Sequence, residues 1–335
     1  MKKTIIAAVV ALAGSLSCQA QVTTDPVGFV SVAVPAVSDA AIGVPLARAS
    51  EFQGVIQSIA VNVITVAGSP GWTTSQFLYV QNSQPKTYYA RIDSGVREGL
   101  IGMITANDGS SITITVPTGD DLAGVLTNAV NTTGDSISIA PYWTLATLIS
   151  GMPNGTNVFT YPTGTAGVNL ATAATYTYNT SIGSWFHGGT VADDVILPPM
   201  QGITVRNNTA SPISISITGS VPMATHRLVV RTLAASTQQD QRIFFNSPVP
   251  EYVGNTGLGV TGGDKLLIID NSTTGKNKAN SVTLTFNAPT GHWFNGGTDV
   301  NATYQLQPGA SFILRKAAVA SPTNYVTTHL QSYLQ

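Results

Sequence analysis

The sequence predicts an all-β protein in which a small N-terminal β domain is followed by two related units of β-sandwich or barrel type. Short runs rich in Val, Ile, Thr, Tyr and Phe alternate with period two, and Gly, Asn, Asp, Ser and Pro separate them. This is the pattern of strands joined by turns. One stretch of the chain also occurs twice. Only 9% of the 335 residues are charged, which excludes coiled coils and long charged helices.

The first element is a predicted secretory signal peptide, residues 1–20. Two lysines after Met1 precede an apolar run, and Cys18 and Ala20 are the small residues that a cleavage site needs. The run is shorter than the roughly 20 residues of a membrane helix, so no transmembrane segment is predicted. We expect a protein that is secreted or held at the cell surface, cleaved after Ala20. Lipidation at Cys18 is disfavoured, because Ser15 stands where lipoproteins usually carry Leu.

An N-terminal β domain is expected over residues 21–138. Residues 111–116 alternate Ser or Thr with Ile or Val, so one face of this strand packs while the other meets water. The sequence Asn-Asp-Gly at 107–109 predicts a hairpin turn, because Asn and Gly accept positive φ angles. Residues 120–129 begin with two Asp and favour one or two helical turns.

The two related units are predicted at residues 139–225 and 226–335, the second including the strands that link the units. Each carries a Trp-Phe-x-Gly-Gly loop, at 185–189 and at 293–297. The two tryptophans are 108 residues apart, a spacing larger than that of solenoid or propeller repeats. It suits a small sandwich or barrel that is used twice.

The Trp-Phe-x-Gly-Gly loops are the first candidate site. Trp185 and Phe186, like Trp293 and Phe294, precede glycines that permit left-handed backbone. The favoured interpretation is structural, with the aromatic pair anchoring the core before a turn. In the alternative, the rings stack on a sugar while the polar loop donates hydrogen bonds. Two such loops would bind a polysaccharide with avidity.

Arg206 and Arg315 are the second candidate site. Each ends an apolar strand at the same position of the repeat, in a chain with few charges. Such an arginine commonly pairs with a nearby acid or covers aromatic surface with its stem. The functional alternative is recognition of an acidic sugar.

Other kinds of chemistry find little support in the residue pattern. The formal net charge is −1, so no cationic surface for nucleic acid is expected. The four His lack metal-ligand spacing, and we predict no metal and no cofactor. A calcium ion at the adjacent acids 193–194 is the weaker alternative to a solvated loop. No Gly-x-Ser-x-Gly motif occurs, and we expect no catalytic residues and no enzyme activity.

Several strings resemble a family of exported bacterial proteins that occur as many paralogues per genome and have no assigned activity. They are Thr-Asp-Pro-Val-Gly-Phe-Val at 24–30, Tyr-Ala-Arg-Ile-Asp-Ser-Gly at 89–95, Tyr-Trp-Thr-Leu at 142–145 and Trp-Phe at 185–186. The resemblance spans most of residues 24–330. It implies export and implies no catalytic residue.

The composition favours a non-catalytic β protein of the cell surface or extracellular matrix. Ser, Thr, Asn and Gly on the solvent faces give a neutral surface that can associate with itself or with polysaccharide. An oligomer is one expected state, which light scattering on the mature protein checks. The alternative is a carbohydrate-binding module that uses the Trp-Phe-x-Gly-Gly loops. A second alternative, a polysaccharide-active enzyme, needs two facing carboxylates in one cleft.

Overall fold

The structure, a computed structural model, describes residues 25–80, 84–128 and 133–335; the predicted signal peptide lies outside these residues. The protein is nearly all β, with 44% strand and 4% helix, which confirms the predicted class. Within the described ranges, no helix is long and apolar enough to cross a membrane. The helical segments are α1 (Leu145–Leu148) and three 3₁₀ turns at Gly95–Arg97, Val253–Asn255 and Ser332–Leu334.

The strands of the described residues form one closed barrel, two six-stranded sheets and four two-stranded ribbons. In chain order they are β1 (Val27–Val34), β2 (Ser38–Ile42), β3 (Phe52–Ala60), β4 (Val63–Val66), β5 (Tyr88–Ile92), β6 (Ile101–Asn107), β7 (Ser111–Thr115), β8 (Ser136–Pro141), β9 (Trp143–Thr144), β10 (Asn157–Thr160), β11 (Ala174–Asn179), β12 (Ser184–His187), β13 (Thr190–Val191), β14 (Ile196–Leu197), β15 (Ile203–Asn207), β16 (Ile213–Ser220), β17 (His226–Thr232), β18 (Gln239–Phe244), β19 (Glu251–Tyr252), β20 (Lys265–Ile268), β21 (Val282–Asn287), β22 (His292–Asn295), β23 (Thr298–Asp299), β24 (Gln305–Leu306), β25 (Ser311–Lys316) and β26 (Thr323–His329).

The barrel has the strand order β3-β4-β7-β6-β5-β8 and is closed by pairing between β3 and β8. Alternate side chains point inward, and buried isoleucines fill the interior. They include Ile56, Ile64, Ile112 and Ile139. The Asn-Asp-Gly sequence at 107–109 lies at the turn between β6 and β7, as predicted, but Asn107 and Gly109 do not have the expected positive φ angles. The carboxylate of Asp108 stabilises the turn instead, by accepting hydrogen bonds from the N–H groups of Ser110 and Ser111.

The helical turns expected at 120–129 are absent from the described part, residues 120–128. The two acids that suggested a helix N-terminus serve other partners. Asp120 and Asp121 both accept hydrogen bonds from Arg97, and Asp120 also accepts two from Arg227. Ion pairing with Arg97 and with Arg227 of β17 therefore uses the carboxylates that were expected to cap a helix.

Two units with the same strand order make up the rest of the molecule. Unit 1 contains β1, β2 and β9–β16, and unit 2 contains β17–β26. Their six-stranded sheets run β13-β12-β11-β10-β15-β2 and β23-β22-β21-β20-β25-β18. Each sheet is accompanied by a long ribbon, β1-β16 or β17-β26, and a short one, β9-β14 or β19-β24. Every strand of unit 1 thus has a counterpart in unit 2, as the 108-residue repeat indicated.

The core of each unit lies between its long ribbon and its sheet. In unit 1, Val32 of the ribbon shares a buried cluster with Val158 and Val205 of the sheet. In unit 2, Val230 and Leu266 share another. Period-two alternation produces this two-layer arrangement: along β16 the inward face carries Ile, while the outward face carries Ser and Thr.

The barrel is inserted into unit 1. Strands β1 and β2 precede the barrel, yet they pair with β16 and β15, which follow it. Unit 2 has only residues 245–250 between the equivalent strands β18 and β19. Strand pairing therefore groups the chain differently from the predicted division into 21–138, 139–225 and 226–335, because residues 27–42 lie in the sheets of unit 1. Local alternation identifies a strand but not its partner.

Candidate functional site

Trp185 and Trp293 lie in the cores of their units. Their side chains are 0% and 2% exposed. Trp185 Nε1 donates a hydrogen bond of 2.7 Å to the carbonyl of Ile149, and the rings of Trp185 and Trp293 pack on Tyr178 and Phe286 with centroids 5.2 and 5.3 Å apart. An enclosed indole has no face free for a sugar ring, so the burial of both tryptophans supports the favoured interpretation, a core anchor, over the alternative of a stacking platform.

Phe186 and Phe294 are half-buried, one residue further along the same strands. Successive side chains of a strand point to opposite faces, so these rings lie on the other side of the sheet from the tryptophans. The glycines that follow have positive φ angles and make tight hairpin turns into β13 and β23. A ligand contact by Phe186 or Phe294 stays a prediction.

The first of the adjacent acids at 193–194 has a main-chain partner. Asp193 Oδ1 accepts a 2.8 Å hydrogen bond from the main-chain N–H of Trp185. In unit 2 the same contact is made by Asn301 Oδ1 to the N–H of Trp293, at 3.3 Å. Because the uncharged amide of Asn301 accepts the same hydrogen bond as the carboxylate of Asp193, this contact has a structural role. Over the described ranges, no group of three or more His, Cys, Asp or Glu is arranged to hold a metal.

Arg206 belongs to an ion-paired cluster that joins the two units, which we call the first clasp (Asp39, Arg206 and Asn277). Arg206 Nε and Nη2 donate to the two carboxylate oxygens of Asp39 at 2.7 and 2.9 Å. Nη2 also donates to Asn277 Oδ1 at 2.6 Å, and the N–H of Asn277 donates to Asp39 Oδ2 at 2.6 Å. Asp39 and Arg206 come from unit 1 and Asn277 from unit 2.

The second clasp (Asp240, Arg315 and Asn169) repeats these contacts with the units exchanged. Arg315 Nε and Nη2 donate to Asp240 at 2.7 and 2.9 Å, and Nη2 donates to Asn169 Oδ1 at 2.8 Å. The N–H of Asn169 donates to Asp240 Oδ2 at 2.7 Å. Hydrogen bonding to the carboxylates raises the pKa values of Arg206 and Arg315.

The clasps are positioned by strand register and by two long loops. Asp39 lies opposite Arg206 in the β2-β15 pair, and Asp240 lies opposite Arg315 in the β18-β25 pair. The asparagines come from the β10–β11 and β20–β21 loops, each of which reaches the other unit. Because every contact occurs twice with the units exchanged, the units are related by an approximate two-fold axis.

The loops carry a sequence signal that the strand pattern did not reveal. Residues 165–171 read Thr-Ala-Gly-Val-Asn-Leu-Ala and residues 273–279 read Thr-Thr-Gly-Lys-Asn-Lys-Ala. Both asparagines have positive φ angles, 54° for Asn169 and 53° for Asn277. Two polar loops with the same Thr-x-Gly-x-Asn-x-Ala spacing at the repeat distance could have been recognised as a shared turn, although not as a contact between units.

A cleft of about 640 Å³ opens between the two loops. Its lining includes pairs of equivalent positions from both units, so it lies near the two-fold axis. The pairs are Ala41 and Arg242, Tyr161 and Ile269, Asn169 and Asn277, and Leu170 and Lys278. Asp39 and Arg206 of the first clasp also line it, together with Phe159, Ala171, Thr172 and Thr204.

Arg242 is the unusual member of this lining. Its guanidinium lies over the ring of Tyr161, 4.1 Å from the centroid, and the Tyr161 hydroxyl shares a 2.9 Å hydrogen bond with Thr204. Nε and Nη1 of Arg242 are buried and have no hydrogen-bond partner among the described residues. Burial lowers the pKa of this guanidinium, because the charged form is separated from water without a direct ion pair.

Lys278 is the second cation of the cleft. Its Nζ donates to the carbonyls of Asp270 and Thr273 at 2.6 and 3.0 Å, and burial lowers its pKa. The lining contains one carboxylate, Asp39, which is bound by Arg206 on both oxygens. The cleft therefore presents net positive charge beside aromatic and amide groups. It is arranged to bind an anion and has no free carboxylate to act as a base.

Of the residues proposed from the sequence, only Arg206 lines this cleft, and Arg315 braces it through Asn169. Comparison of the chain with protein-family models, with curated proteins and with solved structures finds no match. The function is therefore argued from the geometry of the cleft.

Proposed function

We propose that this chain is a non-catalytic binding protein that acts outside the cytoplasm, at the cell surface or in the extracellular matrix, and that the cleft between its units binds a polysaccharide. The leader-like N-terminus and the neutral, hydroxyl-rich strand faces of the sequence support the location. The single observation that supports the site is that Nε and Nη1 of Arg242 are buried without hydrogen-bond partners beside a preformed cleft.

The clasps favour binding because they hold the cleft open in one geometry. Each ties a loop of one unit to a strand of the other through a bidentate ion pair and an amide. A site whose walls are fixed before the ligand arrives loses less conformational entropy on binding. The same contacts occupy both oxygens of the Asp39 carboxylate, so this group is not free to act as a general acid or base. The cleft is therefore better suited to binding than to acid–base catalysis.

A sugar suits the remaining groups. The volume of the cleft lies within the range of small-molecule sites. Tyr161 offers a half-buried ring, while the exposed amides of Asn169 and Asn277 and the hydroxyl of Thr172 offer polar contacts. Because exposed residues such as Asn169, Thr172 and Asn277 line the cleft, it opens to solvent, which leaves room for a polymer to continue beyond the ring that is bound.

A binding test compares two tyrosines on a glycan array that carries neutral and acidic polysaccharides. We expect the mature wild-type protein to bind at least one of them, and Tyr161→Ala to lose that binding at least tenfold. The matched control is Tyr252→Ala, since Tyr252 is an exposed tyrosine outside the cleft. Equal binding by the two folded variants, or no binding by the wild type to any polysaccharide, would contradict the proposal.

A further inference from the structure

We infer that the cleft selects an acidic sugar and that Arg242 and Lys278 recognise its carboxylate. This inference rests on the proposed function and names the class of its ligand. The lining carries the cations Arg206, Arg242 and Lys278 against the single anion Asp39. Arg206 is neutralised by Asp39, which leaves the other two cations to attract a ligand.

The two cations without a carboxylate partner in the cleft both belong to unit 2, on one side of the two-fold axis. At the position of Arg242, unit 1 has Ala41, and at the position of Lys278 it has Leu170. Both cations therefore come from unit 2, while the facing groups of unit 1 are small or apolar. Folding of the unit does not require a charged residue at the position of Arg242, because Ala41 occupies the equivalent sheet position in unit 1.

Arg242 stands in contrast to Arg206 and Arg315, which each have a carboxylate partner. Burying Nε and Nη1 of a guanidinium without hydrogen-bond partners destabilises the protein that contains it. A carboxylate bound in the cleft would supply the negative charge that Arg242 lacks as a partner. The free energy lost by burying this guanidinium is therefore recovered only in the complex. The distribution fits a ring with one acidic substituent: the sugar ring lies by Tyr161 and Leu170, and the carboxylate lies by Arg242 and Lys278.

Calorimetry on the mature full-length protein tests this class. The probes are tetramers of galacturonate, mannuronate and glucuronate, the methyl ester of the galacturonate tetramer, and inorganic sulfate. We expect at least one uronate tetramer to bind and to weaken several-fold as salt rises. We expect the methyl ester, which keeps the ring and loses the charge, and sulfate, which keeps charge and loses the ring, to bind at least tenfold more weakly than the acidic tetramers.

Three variants locate the charge recognition. Arg242→Met and Lys278→Gln should each weaken uronate binding about tenfold or more. Lys276→Gln, which makes the same charge change two residues away at an exposed position outside the cleft lining, should not. Thermal denaturation checks folding, and we expect Arg242→Met to melt no lower than the wild type because it removes an unpaired buried charge.

The outcomes separate the two proposals. If the methyl ester binds as well as the acid, or if Lys276→Gln weakens binding as much as Lys278→Gln, the acidic class is overturned while the saccharide site stands. Sulfate binding equal to that of the uronates identifies a general anion site and also overturns the inference. If no uronate binds but a neutral glycan does so through Tyr161, only the inference fails; if no glycan binds at all, the proposed function fails with it.

Discussion

At the scale of single residues, burial decides which titratable groups matter. His226 is 1% exposed at the start of β17, its ring 4.5 Å from that of Phe245, and its Nδ1 accepts a hydrogen bond from the N–H of Asn246. Burial, with a smaller contribution from the charge on His329, lowers the pKa of His226 from 6.5 to about 3. Burial also lowers the pKa of His329. The ring of His226 is therefore neutral in the folded protein at neutral pH.

These histidines predict a loss of stability in mild acid. Between pH 6.5 and 3 the unfolded chain binds a proton at His226 that the folded protein does not, so the free energy of unfolding falls as the pH falls. From pH 7 to pH 5 we expect a loss of about 2 kcal/mol, measured by urea denaturation. The carboxylates with lowered pKa values lose their contribution only at lower pH, so they do not obscure this window.

The control for this prediction exchanges a buried histidine for an exposed one. His226→Gln should unfold with a smaller difference between pH 7 and pH 5 than the wild type, whereas His187→Gln, at an exposed hairpin position, should keep the full difference. The same pH dependence in all three proteins would show that the loss arises elsewhere.

At the scale of elements, the β10–β11 and β20–β21 loops join one unit to the other, in addition to the isolated bridges from Ile42 to Ala310 and from Ile243 to Gln201. In the turn at Asn277, the main-chain N–H donates a hydrogen bond to Asp39, and the side-chain amide oxygen accepts one from Arg206. The left-handed conformation makes this geometry available, and Asn adopts it more readily than other residues with a side chain. The same argument explains Asn169 in the second clasp.

The backbone conformation of Asn277 predicts that replacement by Gly costs less stability than replacement by Ala, which is the reverse of the usual order. Asn277→Gly and Asn277→Ala both remove the amide contact to Arg206, but only Ala has to bear the positive φ of 53°. We therefore expect Asn277→Ala to be about 1 kcal/mol less stable than Asn277→Gly in urea denaturation. At Asn280, which is exposed and lacks a positive φ, Gly should be the less stable replacement. The same order at both sites would contradict the backbone argument.

At the scale of the whole molecule, the architecture is a duplication with one insertion. The chain enters the barrel through β3 and leaves it through β8, and these two strands are neighbours. Phe52 at the start of β3 pairs with Ile139 near the end of β8. Adjacent ends let a folded unit be inserted without separating the strands around it. The barrel has its own buried cluster and also touches unit 2, where Arg227 pairs with Asp120.

Excision of the barrel should leave the two units folded. Replacing residues 44–142 with the six residues 245–250, which make the equivalent connection in unit 2, keeps β2 beside β15 and β9 beside β14. We expect circular dichroism to show a β spectrum and a cooperative thermal transition. The fragment 50–142 should also unfold cooperatively, because its core is internal. A shortened protein without a cooperative transition would show that the barrel is required for unit 1.

The sequence by itself determined the all-β class, the repeat and the matched pair Arg206 and Arg315, because alternation, turn residues and repeat spacing are local patterns in the chain. It also favoured the core role that the burial of Trp185 and Trp293 supports. It did not indicate Tyr161 or Lys278 as site residues, since Tyr161 looks like the end of a strand and Lys278 lies in what looks like an ordinary polar loop.

The tertiary structure alone decided which distant segments meet. Asp39 and Arg206 are 167 residues apart in the chain, Arg315 and Asn169 are 146 apart, and the insertion of the barrel separates β2 from β15. Such pairings are selected by packing of whole layers, in which many strands compete for each edge, so no local pattern specifies them. The positively charged cleft, in which Nε and Nη1 of Arg242 have no hydrogen-bond partner, exists only once both units are folded against each other.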